Sequence, residues 1–133
     1  MRRTSLITVL VAAAALLASF APAASASGGT ATQRSIALHG SSSFPNATGS
    51  AVSKVSSEER ELDVEVQHIA VLAGKHVNVF VNGNKWASPV VSSLGQIHVD
   101  RSTQRGQTVP RISAGSTVRV RTLGGTLIAS GTF

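Results

Sequence analysis

The stretch Glu61-Leu62-Asp63-Val64-Glu65-Val66 alternates acid and aliphatic residue without a break, and this constrains the fold more than any other feature. A period of two puts successive side chains on opposite faces of an extended chain, so the ribbon has one dry and one wet side. A half-buried antiparallel strand meets that demand. The same period returns at Val77, Val79 and Val81, at Ile97 and Val99, and at Val118 and Val120, where Arg119 and Arg121 interleave. After the first twenty-six residues, which read as a separate helical segment, no window sustains a helical repeat.

Turn residues divide the chain into short pieces. Asn82-Gly83-Asn84 is the strongest turn signal, and Lys85 to Val91 reads as the returning arm of a hairpin, with Pro89 marking an edge or a bulge. Ala114-Gly115-Ser116 leads into a strand over Thr117 to Thr122, and Gly124-Gly125 turns into a last strand, Leu127 to Phe133. Upstream, Arg34 to Leu38 and Gly49 to Val55 give two weaker strands joined by the polar loop Gly40 to Thr48. About seven or eight short strands, spaced roughly 8 to 12 residues apart, predict an all-β domain over residues 34–133. The expected form is a single antiparallel β-sandwich, immunoglobulin-like in the broad sense, with a small barrel as its neighbour in fold space. No crossover helix fits between such strands, which argues against a parallel sheet. The expected core is Leu62, Val64, Val66, Val77, Val79, Val81, Trp86, Ile97, Val99, Val118, Val120, Leu127 and Phe133.

The start of the chain carries a different message. Met1 to Ser5 is cationic, Leu6 to Phe20 is an uncharged apolar run, and Ala24-Ser25-Ala26 is an A-x-A cleavage site. That is the layout of a secretory signal peptide over residues 1–26, with cleavage near Ala26-Ser27 and a secreted, extracellular product. The run is shorter than the roughly 20 apolar residues of a membrane span, so no stable span is expected after cleavage. The apolar run follows Arg2-Arg3 almost at once, which favours the general secretory route over twin-arginine export. Residues 27–33 are small and polar and read as a flexible leader.

The chain has no cysteine, so neither a disulfide, a thiolate metal site, a lipid-anchored cysteine nor a cysteine nucleophile is available. Removing Arg2 and Arg3 lowers the formal net charge from +6 to +4. The balance is mildly basic and dispersed, which favours solubility and attraction to anionic polymers. It lacks the clustered stripe and aromatic platforms of a nucleic-acid binder, so no nucleic-acid partner is expected.

Leu72-Ala73-Gly74, Val77-Asn78-Val79-Phe80-Val81-Asn82-Gly83, Leu94-Gly95, Val109-Pro110, Ala114-Gly115 and the closing Leu127-Ile128-Ala129-Ser130-Gly131-Thr132-Phe133 form a recognisable set. Together they resemble small secreted bacterial β-domains of unassigned function. In those proteins an acidic alternating strand like Glu61 to Val66 precedes a V-x-V-x-V-N-G hairpin, and the chain ends in S-G-x-F. The similarity covers roughly residues 48–133. It implies a small all-β secreted module and supplies no catalytic or binding residue.

Candidate chemistry is sparse. Glu61, Asp63 and Glu65 are about 6 to 7 Å apart along one strand face. A straight strand does not converge the six to eight oxygens a hard cation takes, so a solvated face, cross-strand paired with Arg119 and Arg121, is the simpler reading. His39, His68, His76 and His98 show no H-x-H or H-E-x-x-H spacing. His68 and His76 flank a loop and can face each other across a strand pair; His98 and Asp100 share one strand face. Serines abound, yet no G-x-S-x-G occurs, and Gly40-Ser41-Ser42-Ser43 is a polar loop rather than a constrained nucleophile turn. No catalytic residue, cofactor or metal ligand is therefore assigned. Asn46-Ala47-Thr48 matches a glycosylation sequon, relevant only in a host that uses it.

Trp86 is a parity question. A turn through Asn82-Gly83 or Gly83-Asn84 places it opposite Val79 or Val81, in the core; an odd-length loop would bring it beside Phe80. The absence of tyrosine weakens a sugar-binding or antibody-like surface. Two functional readings remain. The first is a monomeric, non-catalytic extracellular module whose partner is another protein or an anionic cell-wall polymer, bound by loops Gly40–Thr48 and Asp100–Thr108 at one end. The alternative is a small hydrolase or metal-dependent enzyme using His98 and Asp100, which requires His68, His76 or His98 close to one another or to a carboxylate.

Overall fold

Leu62, Val64 and Val66 are fully buried while the alternating Glu61, Asp63, Glu65 and Gln67 are half-exposed, as the alternation requires. The computed structural model describes residues 31–133. Residues 1–26, read as a signal peptide, and most of the span read as a leader lie outside the described residues. The first strand begins at Thr32, two residues inside the span read as a leader.

Eight strands follow in order: β1 (Thr32–Gly40), β2 (Thr48–Val55), β3 (Arg60–Gln67), β4 (Val77–Val81), β5 (Asn84–Ala87), β6 (Ile97–Ser102), β7 (Thr117–Thr122) and β8 (Leu127–Thr132). All pair antiparallel in one sheet of order β5-β4-β7-β8-β1-β2-β3-β6. The sheet is nearly closed. Its halves, β5-β4-β7-β8 and β1-β2-β3-β6, are joined where β8 meets β1 through only two register pairs, His39–Ser130 and Gly40–Ala129. At this seam Gly131 has no room for a side chain, because a Cβ there would lie 2.6 Å from the Ala37 carbonyl oxygen.

Both halves of the curled sheet contribute their inner face to one core. Leu38 and Ala51 from β1 and β2 meet Val77, Val79, Val81, Val118, Val120 and Ile128 from the other half, all essentially inaccessible. At roughly 1.5–3 kcal/mol for each large aliphatic side chain, this burial is the main force holding a chain without disulfides. The turn at Asn82-Gly83 has positive φ at both residues (52° and 84°), the two-residue hairpin geometry that Asn-Gly favours.

Two bulges alter the parity of the expected core. Val81 pairs with Asn84 and Phe80 with Lys85, but Val79 pairs with Ala87, so Trp86 is the extra residue. Ala87 takes the inward position, and Trp86 packs half-buried against the core from the edge rather than lying within it. Likewise Arg121 pairs with Leu127 and Val120 with Ala129, leaving Ile128 as the extra residue. Ile128 and Ala129 are buried, and Leu127 is half-exposed. The expectations for Trp86 and Leu127 are corrected accordingly.

Strand direction sets the ends. With β1 running upward, the upper end holds the β1–β2, β3–β4, β5–β6 and β7–β8 connections. The lower end holds β2–β3, β4–β5 and the long β6–β7 connection. Loops Gly40–Thr48 and Asp100–Thr108 thus lie at opposite ends and do not form one binding surface. The β6–β7 connection crosses the lower end and buries Val109, whose carbonyl accepts a hydrogen bond from Arg60 Nε at 3.1 Å.

Candidate functional site

Charge is the property that the fold sorts most sharply. All six carboxylates, Glu58, Glu59, Glu61, Asp63, Glu65 and Asp100, fall on β3, its preceding turn and β6. Their partners are local. Lys54 Nζ is 3.6 Å from Glu61, His98 Nε2 is 2.8 Å from Asp63, and Arg105 Nη2 is 3.4 Å from Asp100. Glu59 also accepts a hydrogen bond from the buried Ser102 hydroxyl. The pairing of this acidic row with Arg119 and Arg121 does not occur, because β7 lies between β4 and β8, away from β3.

The half β5-β4-β7-β8 contains no carboxylate. On its outer side Phe80 is in register with Lys85 on β5 and with Arg119 on β7, while Asn78 is in register with Arg121. Directly opposed residues have Cβ atoms about 4.5–5.5 Å apart, so Phe80 sits between two cations. Among the described residues, Lys85, Arg119 and Arg121 take part in no ion pair. Arg121 Nη1 donates to the Gly125 carbonyl at 3.1 Å, which holds its guanidinium at the β7–β8 turn.

The histidines are dispersed over separate partners. His39 faces Thr48 and Ser130 across neighbouring strands. His68 Nδ1 lies 3.2 Å from Thr48 Oγ1, and His76 Nδ1 lies 3.0 Å from the Ser88 carbonyl. His98 does meet a carboxylate, but it is Asp63 on the neighbouring strand rather than Asp100 on its own. Asp63 and Asp100 are opposed directly. Among the described residues no group of three or more His, Asp or Glu is placed to hold a metal ion, and no helix is long and apolar enough to cross a membrane.

A second constellation forms at the free edge of β5, which sequence reasoning missed. The Trp86 indole N–H donates to the Thr108 carbonyl at 2.9 Å. Arg101 on β6 donates from Nη1 to the Trp86 carbonyl at 2.8 Å and holds its guanidinium 5.2 Å from the ring centroid. These contacts fix an aromatic ring beside the hairpin and the segment that carries Pro110 and Arg111. The signal existed only as an isolated Trp beside Lys85 in the hairpin; its partners lie 15 and 22 residues away. No family model, curated protein or solved structure matches the chain.

Proposed function

We propose that the chain is a secreted bacterial module, monomeric and non-catalytic, that binds an anionic extracellular polymer through the β5-β4-β7-β8 half. The four-stranded halves serve as the two layers of a broadly immunoglobulin-like sandwich. The observation that carries this reading is the segregation of charge: every carboxylate sits on β3, its preceding turn or β6, while Lys85, Arg119 and Arg121 line a carboxylate-free face around Phe80. A repeating anion laid along that face meets cations at strand spacing and pays no like-charge penalty. The hydrolytic alternative keeps the histidine–carboxylate contact it requires, His98 with Asp63 at 2.8 Å. It has less support, since that pair is exposed, Asp100 engages Arg105 instead, and among the described residues no hydroxyl is hydrogen-bonded to His98.

The test is retention of the mature chain on immobilised polyglycerol phosphate against neutral dextran. Retention on the phosphate polymer alone, weakening as salt shortens the Debye length from about 10 Å at 0.1 M to about 3 Å at 1 M, is the expected result. Equal elution from both supports at low salt would overturn the proposal.

A further inference from the structure

The β4–β5 hairpin and the lower-end segment 108–111 enclose an open cleft of about 340 Å³. That is within the range of small-molecule sites, roughly 300–1,000 Å³. Its apolar wall is Val81, Trp86 and Pro110, and its cations are the exposed Lys85 and Arg111. Asn84 adds an amide, and no carboxylate lines it. Trp86 is held at its carbonyl by Arg101, at its indole N–H by Thr108 and over its ring by the same guanidinium. A ring fixed this way loses little entropy when a ligand packs on it.

We infer that this cleft is a subsite for one anionic sugar unit, a ring whose apolar C–H face packs on Trp86 and Pro110 while its carboxylate or phosphate meets Lys85 and Arg111. An indole accepts the C–H face of a sugar through apolar contact. A guanidinium and an ammonium give charge-assisted hydrogen bonds to either anion, Arg111 in a fork and Lys85 as a point charge. The inference rests on the polymer reading, since the unit bound here belongs to the chain laid along the adjoining basic face; Lys85 is common to both.

Trp86 is the only tryptophan and there is no tyrosine, so the protein's own emission reports on this cleft. Titration of the mature chain with trigalacturonic acid (carboxylate arm) and glucose 6-phosphate (phosphate arm) is compared with neutral maltotriose. A saturable shift with at least one anion and none with maltotriose is expected, and the arm that responds identifies the anion. Lys85→Ala with Arg111→Ala, and Arg111→Ala alone, should weaken that binding, the double variant by about tenfold or more, with the melting temperature unchanged. Absence of a saturable shift with either anion, an equal shift with maltotriose, or a folded double variant that binds like the parent would overturn the subsite. An unmoved emission with retention on polyglycerol phosphate removes the cleft and keeps the polymer reading. A shift without retention does the reverse, and loss of both removes both.

Discussion

Arg101 and Trp86 join the two free edges of the sheet: the guanidinium of β6 reaches the main-chain carbonyl of β5 at 2.8 Å and lies 5.2 Å from the centre of its indole. β5 and β6 are the terminal strands of the sheet order, so this contact substitutes for the ladder that would complete a closed barrel. A charged hydrogen bond and a cation–π contact together are worth about 2 kcal/mol here. Arg101→Ala should lower stability by about that amount in urea unfolding and shift Trp86 emission to the red. Arg101→Lys should recover only part, because an ammonium lacks the planar fork. An unchanged midpoint for Arg101→Ala would show that the edges hold without the contact.

Gly131 tests the other junction. Its missing Cβ would lie 2.6 Å from the Ala37 carbonyl and 3.0 Å from the Leu38 side chain. Gly131→Ala should therefore cost roughly 1–3 kcal/mol, as overpacking does. Gly124→Ala is the matched control, since the nearest atom to its added methyl is Thr122 Oγ1 at 3.9 Å. Thermal melts of the two variants should separate clearly; coincident melts would contradict the close approach of β8 to β1. The glycine of Ser130-Gly131-Thr132-Phe133 thereby has a steric reason.

The strands were legible in the sequence because alternation and turn chemistry are local. β3, β4, β6 and β7 each carry two or three aliphatic residues at alternate positions, and Asn82-Gly83 marks its own hairpin. Parity beyond the bulges was not legible. One extra residue at Trp86, and another at Ile128, moves the following side chains to the opposite face, and no residue at either place announces it. Neighbour order was hidden as well, because β4 pairs with β7 and β3 with β6 across long stretches of chain. That order decides whether Arg119 meets Glu61 or Phe80. The candidate cleft was illegible for the same reason, since Arg111 and Trp86 come together only after the β6–β7 connection folds across the lower end.

Val109 shows what an irregular segment contributes. It is 2% exposed although it lies in no strand, whereas Leu123 is 65% exposed at the β7–β8 turn. Val109→Ala should cost about 2 kcal/mol in chemical denaturation, from lost transfer energy and the residual cavity. Leu123→Ala should stay within about 0.5 kcal/mol. Equal effects would contradict the seating of this connection in the lower end.

The His98–Asp63 pair is surface chemistry of small energetic weight. Its side chains are 56% and 39% exposed, so His98→Ala should alter stability by less than about 1 kcal/mol. A loss several times larger in equilibrium unfolding would show that the pair organises more of β3 and β6 than its exposure implies.

Charge reversal on the carboxylate-free face is the most direct measurement of the central claim. Arg119→Glu with Arg121→Glu places one acid opposite Phe80 and one opposite Asn78 without touching the core. Retention of this variant on immobilised polyglycerol phosphate at low salt should disappear while its circular dichroism spectrum matches the parent. A folded variant held as firmly as the parent would contradict the account.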